Sequence, residues 1–364
     1  MGFGATSVRP DEQVRRLVGA PEQLVSVDRL VHDEGPGRGA PVLVVRNPAG
    51  ISFEVLLDRA LDVGWADAPA LPLAWRSSRG SVASSRHEPR DAGWTRTFGG
   101  GLLTTCGLAS TGAASTFAGE HHGLHGRVGH LPAENVGWRL VADEDGSTAV
   151  EVTGDVVEAG LGSPTLRLHR RIVASTVRAE LRVEDVVTND SYVPAGHMYR
   201  HHLNLGYPLV APGSVVTATA DVVGERDRPD GPVRTLPWTL DVPGGPVAET
   251  VLYCAPRPGA TSRVRVAAPD GRYVEVEQDT AGWPLLVLWR DATEGVNVLG
   301  VEPSTSRDGG RAQAEADGEV LHLAPGEQRA YRTVVRAGHG AAATPAVSAQ
   351  PGTVRRSPTR ARPA

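Results

Sequence analysis

The sequence predicts an all-β protein, a single large antiparallel sandwich or barrel, and three observations carry that prediction. Between about residues 25 and 337 the chain is a succession of short runs rich in β-branched residues, broken by Gly, Pro, Asp and Asn; PVLVVRN, TLRLHRRIVAS, SRVRVAA and VNVLGVE are examples. Several runs alternate strictly, as Val264 and Val266 do against Arg263 and Arg265, which is the period of a half-buried strand. There are a dozen or more such runs and almost no crossover helices, which a doubly wound parallel sheet would need.

The elements follow in order. Near the start, Asp11 and Glu12 follow Pro10, Val14, Leu17 and Val18 form an apolar stripe, and Gly19 ends it, so a short helix is expected there. Residues 1–24 are therefore read as an N-terminal segment and residues 25–337 as the β domain. Within it, Pro269-Asp270-Gly271 between two alternating runs is a hairpin turn signal. Residues 338–364 are rich in Ala, Pro, Thr and Gly, lack carboxylates and carry Arg355, Arg356, Arg360 and Arg362. Such a segment cannot offset its ordering entropy and is expected to be a disordered tail.

Composition excludes several chemistries. The 364 residues contain no Lys, so all 37 basic residues are Arg, against 42 acidic ones, for a net charge of −5. Without Lys there is no Schiff-base lysine, no pyridoxal-phosphate anchor and no P-loop. Two cysteines, Cys106 and Cys254, rule out a disulfide scaffold and a cysteine-built zinc module. No apolar run reaches the roughly 18 residues of a membrane span, and the first residues lack a secretory apolar stretch. Gly2 and Thr6 fit the short myristoylation pattern, which chance produces often. A cytoplasmic protein that binds neither membrane nor nucleic acid is expected; four tail arginines are few for the latter.

Polar residues in unexpected places point to a site. Four of the 12 histidines fall at 121, 122, 125 and 130, and three more at 197, 201 and 202. AGHMYRHHLNLG reads as one strand ending at Gly206, with Met198, Arg200, His202 and Asn204 on one face and His197, Tyr199, His201 and Leu203 on the other. Neither face is plainly apolar, so the strand either lines a polar cleft or lies at a solvent-facing edge. In GVNVLGVEP, Val296, Val298, Gly300 and Glu302 share a face, so Glu302 ends an apolar stripe. A carboxylate there is either capped in a structural role or held in a cleft as a general base. His121-His122-x-x-His125 has metal-ligand spacing, although its glycines argue against the helix that would bring such residues together. Arg59 and Asp62 form an Arg/Asp pair in apolar surroundings, either a structural ion pair or a hydroxyl-binding one; Trp75, Trp94, Trp283 and Trp289 are either core or a sugar-stacking platform.

Taken in order, the blocks DRALDVGWADAPALPLAW (58–75), FGGGLLTTCGL (98–108), GLHGRVGHLPAENVGW (123–138), YRHHLNLGYPLV (199–210) and LGVEPSTSRDGGR (299–311) give the chain its resemblance. It resembles the aldose 1-epimerase-like proteins of the galactose mutarotase superfamily, in the branch catalogued as a domain of unknown function (DUF4432-type). The resemblance implies an antiparallel β-supersandwich with a sugar in a concave cleft, acid–base interconversion of sugar anomers, and neither metal nor cofactor. It implies Glu302 as base, His202 as the leading acid and His125 as a second histidine that binds or polarises the sugar. Arg59 and Asp62 would contact sugar hydroxyls, with Arg127, Asn204, Arg200 and Trp75 as further substrate-binding candidates. The chain departs from the superfamily pattern at Arg200, where better-known mutarotases carry the strand histidine; His202 lies two residues on, on the same face. The aspartate with which those enzymes hold sugar hydroxyls has no evident counterpart. Another sugar isomerisation on the same scaffold, or carbohydrate binding without turnover, is the alternative, by a monomer or homodimer.

Overall fold

The computed structural model describes residues 16–226 and 233–340, and across them the chain is β, as the alternation predicts. An eleven-stranded and a nine-stranded antiparallel sheet pack face to face, with two small two-stranded ribbons beside them. The middle of the larger sheet runs Leu103–Cys106, Arg200–Leu205, Val298–Ser304, Leu285–Asp291 and Glu249–Pro256. The smaller sheet is dominated by Thr148–Gly160, Ser163–Ser175, Glu180–Asn189 and Gln328–His339.

Period-2 alternation divides each strand between two environments. Leu203, Leu205, Leu299, Val301, Leu286, Leu288 and Leu252 point between the sheets, where they meet Val150, Val152, Ile172, Val183, Val274, Val276 and Val335. Each such aliphatic side chain stabilises the sandwich by roughly 1.5–3 kcal/mol. The same alternation turns Arg200, His202, Glu302, Val251, Val287 and Trp289 to the opposite, outer face of the larger sheet.

The inner face also holds a polar cluster. Arg170 is fully buried and donates to Asp185 through Nε at 2.9 Å and Nη2 at 2.8 Å. The Tyr199 hydroxyl donates to the same carboxylate at 2.7 Å, and His201 Nε2 lies 2.6 Å from it.

Two elements differ from expectation. The run read as one strand is broken: Ala195–His197 pairs with Leu321–Leu323, and only Arg200–Leu205 joins the large sheet. At the break Tyr199 N donates to Thr305 Oγ1 at 2.9 Å, and Met198 packs with Ala314 and Val320 instead of sharing the face of Arg200. An α-helix, Gly310–Asp317, follows the Glu302 strand, stopped by Gly318 in left-handed conformation. The helix expected near the start and the tail expected over residues 338–364 fall mostly on residues 1–15 and 341–364, which lie outside the described residues; Gly338 and His339 are the end of the last strand. Among the described residues no helix is long and apolar enough to cross a membrane.

Candidate active site

A cavity of about 300 Å³ opens on the outer face of the large sheet, over its central strands. His202 and Glu302 form its floor. The register that pairs Arg200 with Ser304 and Leu203 with Val301 sets His202 directly opposite Glu302. His202 Nε2 lies 3.2 Å from Glu302 Oε1. Both side chains are buried, with relative exposures of 4% and 1%. Glu302 Oε1 and His202 Nδ1 are buried atoms that make no hydrogen bond, so one carboxylate oxygen on the floor has no fixed hydrogen-bond partner.

The other oxygen is fixed. Arg200 Nη1 donates to Glu302 Oε2 at 2.8 Å, and Arg200 is itself anchored by Ser304 Oγ at 3.1 Å and the Ser306 carbonyl at 3.2 Å. Such a charge-assisted bond leaves the carboxylate little rotational freedom. Gly300 makes room for it: a Cβ there would stand 2.4 Å from Glu302 Oε1 and 3.1 Å from the Trp289 ring.

His125 enters from a loop. Its backbone is left-handed at φ 59, a conformation that non-glycine residues adopt mainly where surrounding structure enforces it. Gly112 N donates to His125 Nδ1 at 3.3 Å, so the neutral ring carries its proton on Nε2. The ring stands perpendicular to that of His202, centroids 5.6 Å apart. Burial, then the charges of Arg200 and His202, holds the His125 pKa well below the usual histidine value. For His202 burial also lowers the pKa; the Glu302 charge opposes this and Arg200 adds to it.

Aromatic side chains build the walls. Trp94, Phe98 and Trp289 surround His202 with ring centroids 6.3, 5.6 and 5.3 Å away. At the mouth Asp308 and Glu249 face Arg226. Arg226 Nη1 lies 3.2 Å from Asp308 Oδ2, and Arg226 Nη2 donates to Glu249. The Tyr253 hydroxyl donates to Asp308, and Trp289 Nε1 to Glu249 at 2.8 Å.

Of the nine residues expected to be catalytic or substrate-binding, Glu302, His202, His125 and Arg200 converge here and five do not line this cavity, whereas Trp94 and Trp289, weighed as stacking candidates, do. Arg59 turns away to the Val82 carbonyl at 3.2 Å and His130 Nε2 at 3.2 Å. Asp62 is engaged between the sheets by Thr105 N at 2.9 Å and Thr105 Oγ1 at 2.5 Å, with Arg170 Nη1 3.6 Å away. Neither side chain lines this cavity; each is engaged by neighbouring protein atoms, Arg59 beside a separate small pocket and Asp62 between the sheets. Arg127 lies two residues beyond His125 but pairs at 3.6 Å with the buried Glu158, on the far side of the loop. Asn204 donates to the Gly101 and His202 carbonyls at 3.0 Å, tying strands together below the floor. Trp75 donates to the Val296 carbonyl at 2.6 Å and packs on Phe98, supporting the wall from behind.

The residues that sequence reasoning missed are Asp308, Glu249, Arg226 and Tyr253. Asp308 lies inside the quoted LGVEPSTSRDGGR block, so its position was a usable signal; Glu249 and Tyr253 come from a strand, and Arg226 from just beyond one, with no distinctive motif. His121 and His122 sit on the ribbon Ser115–Phe117/Glu120–His122, apart from His125, and among the described residues no group of three or more His, Cys, Asp or Glu is placed to hold a metal ion.

Comparison with known proteins agrees with this architecture. A family described as "Domain of unknown function (DUF4432)" matches residues 37–337. A solved structure of a protein provisionally named aldose 1-epimerase, from Klebsiella pneumoniae subsp. pneumoniae, superposes with a TM-score of 0.78 at 19% identity, covering 87% of this chain and 86% of that one. A galactose mutarotase-like protein from Clostridium acetobutylicum gives 0.62 at 11% identity, over 87% and 100% of the two chains. One from Escherichia coli K12, also provisionally named aldose 1-epimerase, gives 0.53 at 14% identity, over 86% and 99%. No curated protein matches the sequence. At these identities the likeness establishes the fold, a galactose mutarotase-like sandwich.

Proposed function

We propose that this chain, which belongs to the DUF4432 family, a domain of unknown function, is an isomerase that interconverts the anomers of a free sugar by acid–base ring opening. The observation that carries the reading is the 3.2 Å approach of Glu302 Oε1 to His202 Nε2 on the floor of a cavity with room for one sugar ring. Ring opening of a cyclic sugar moves protons at two oxygens bonded to the same carbon. An acid and a base that serve both must therefore face one small region, each within hydrogen-bond reach of its own oxygen.

In this reading Glu302 Oε1 takes the proton of the anomeric hydroxyl as that C–O becomes a carbonyl. The bond from the same carbon to the ring oxygen breaks, and the ring oxygen takes a proton from His202. Rotation of the aldehyde and the reverse transfers close the other anomer, so no net proton is gained or lost. Arg200 holds the base in place, and His125, with its proton on Nε2, donates to a sugar oxygen. Trp94, Phe98 and Trp289 offer apolar faces to sugar C–H groups. Acid and base are each expected to contribute roughly 10²–10⁴-fold.

A carbohydrate-binding protein without turnover has no use for an unengaged buried carboxylate oxygen opposite a histidine. The test is saturation-transfer NMR on EDTA-treated protein with a panel of free sugars. Accelerated exchange between anomer signals, reduced at least about 100-fold in folded Glu302→Gln, is the expected result. Full activity in that variant would remove Glu302 from the reaction, and no exchange with any sugar would remove the reaction itself.

A further inference from the structure

We propose that the cavity selects uncharged sugars over anionic ones, and that Asp308 and Glu249 set this preference by clamping Arg226. The proposal rests on the sugar reading above and concerns what the same cavity admits. Two guanidiniums line it, Arg200 and Arg226, against three carboxylates, Glu249, Glu302 and Asp308.

Both guanidiniums are already held by carboxylates. Arg200 is bound to Glu302 and to the Ser304 and Ser306 oxygens. Arg226 is bridged by Asp308 Oδ2 at 3.2 Å on Nη1 and by Glu249 on Nη2. The clamp is itself braced, since Tyr253 donates to the second Asp308 oxygen and Trp289 Nε1 to the second Glu249 oxygen at 2.8 Å. His125 adds no compensating charge, since burial holds its pKa well below the usual histidine value, and a proton on His202 is matched by Glu302 Oε1 at 3.2 Å.

A phosphate, sulfate or carboxylate on the sugar would have to displace Asp308 or Glu249 from Arg226 and then lie beside the displaced carboxylate. Like charges at such range in a partly desolvated site are strongly unfavourable, which is how binding sites reject wrong ligands. A hydroxyl meets no such barrier: it can donate to Asp308 or Glu249 without breaking the clamp.

Trp94 and Trp289 line the cavity, so intrinsic fluorescence reports occupancy without turnover. The full chain is titrated with glucose, galactose and ribose, with glucose 6-phosphate, galactose 6-phosphate and ribose 5-phosphate, and with inorganic phosphate. At least one free sugar is expected to bind about tenfold or more tightly than its phosphate ester. The E249Q/D308N double variant should reduce that ratio at least about tenfold by removing the two carboxylates that an anionic sugar would face beside Arg226. D308N alone should shift it in the same direction, and serves if the double variant does not fold. Equal or tighter binding of the phosphate esters by the unmodified protein overturns the proposal, as does a ratio unchanged in the variants. Sugar binding with the expected ratio but no anomer exchange leaves the selectivity standing and removes only the catalytic reading; absence of binding by every sugar overturns both.

Discussion

Arg200 and Glu302 meet across two adjacent strands, Nη1 to Oε2 at 2.8 Å, both almost wholly buried on the cavity floor. Arg200 stands where the superfamily resemblance leads one to expect a histidine, and its guanidinium holds the carboxylate proposed as base. Breaking such a pair from one side leaves an uncompensated buried charge. Arg200→Met should therefore cost about 3–5 kcal/mol in urea denaturation and most of the activity. Adding Glu302→Gln should restore much of the stability and none of the activity, because the buried charge is then gone together with the base. An Arg200→Met protein of unchanged stability would mean that Glu302 does not depend on this contact.

Gly300 gives a cleaner separation of chemistry from stability. A Cβ at this position would fall 2.4 Å from Glu302 Oε1, the oxygen assigned as base, so Gly300→Ala must push the carboxylate off its line to His202. The strand backbone itself tolerates alanine, since Gly300 is not among the positive-φ glycines. A displacement of the order of 1 Å at a reacting group costs up to about 100-fold. The expected outcome is a loss of at least about tenfold in anomer exchange, with a smaller loss of urea stability than in Arg200→Met. A fully active Gly300→Ala would place the base oxygen elsewhere.

The strand pattern made the sandwich legible, because alternation such as that of Val264 and Val266 records which face of a sheet is buried. It also set Arg200 and His202 on one face of their strand and Glu302 at the end of an apolar stripe, and the fold brings those three together. Legibility ended where contacts depend on tertiary register. Nothing local distinguishes Arg59 and Asp62, which brace the turn beneath the sheet, from a pair that faces a ligand, and both readings suit a polar pair among Val55, Leu56 and Leu57. Glu249 and Arg226 were invisible for the same reason: each is an ordinary surface residue until the strands are laid side by side. The helix Gly310–Asp317 was missed because its eight residues give little periodicity, although Ala, Gln and Glu before Gly318 favour it.

His197 makes part of the acid sensitivity of the fold predictable. Its Nδ1 lies 2.9 Å from the Leu108 carbonyl and its Nε2 2.7 Å from the Tyr331 hydroxyl, so the neutral ring donates from Nδ1 and accepts at Nε2. Burial lowers its pKa to about 4, the Leu108 bond opposing this shift and the nearby Arg329 and Arg311 adding to it. Between the ordinary histidine pKa of about 6.5 and that value, the unfolded chain binds a proton that the folded one does not. Stability should then fall as pH drops through this window, by about 3 kcal/mol from this residue, and stay level above it. His197→Gln, which keeps a donor and an acceptor, should flatten the corresponding part of a urea stability profile measured from pH 7.5 to 4. An unchanged slope would assign the acid sensitivity to the other buried histidines.

Asp185 offers the strongest contrast between a buried and an exposed ion pair. Arg170 has no exposed surface and is bound on two nitrogens by this one carboxylate, which also receives the Tyr199 hydroxyl and lies 2.6 Å from His201 Nε2. Asp62, the other carboxylate near Arg170, is 3.6 Å away and is bound by Thr105 N and Oγ1, so it is the weaker partner of the guanidinium. Asp185→Asn should cost about 3–5 kcal/mol in denaturant unfolding, because the guanidinium is left charged and dry. Arg167→Ala, which removes a partner of Asp190 from a solvent-exposed pair, should change stability by no more than about 1 kcal/mol. Because His201 lies between Arg200 and His202 on one strand, surviving Asp185→Asn protein should also lose activity through kcat with little change in KM. Equal effects of the two substitutions would mean that the cluster between the sheets is hydrated, and that its charges contribute no more than surface charges do.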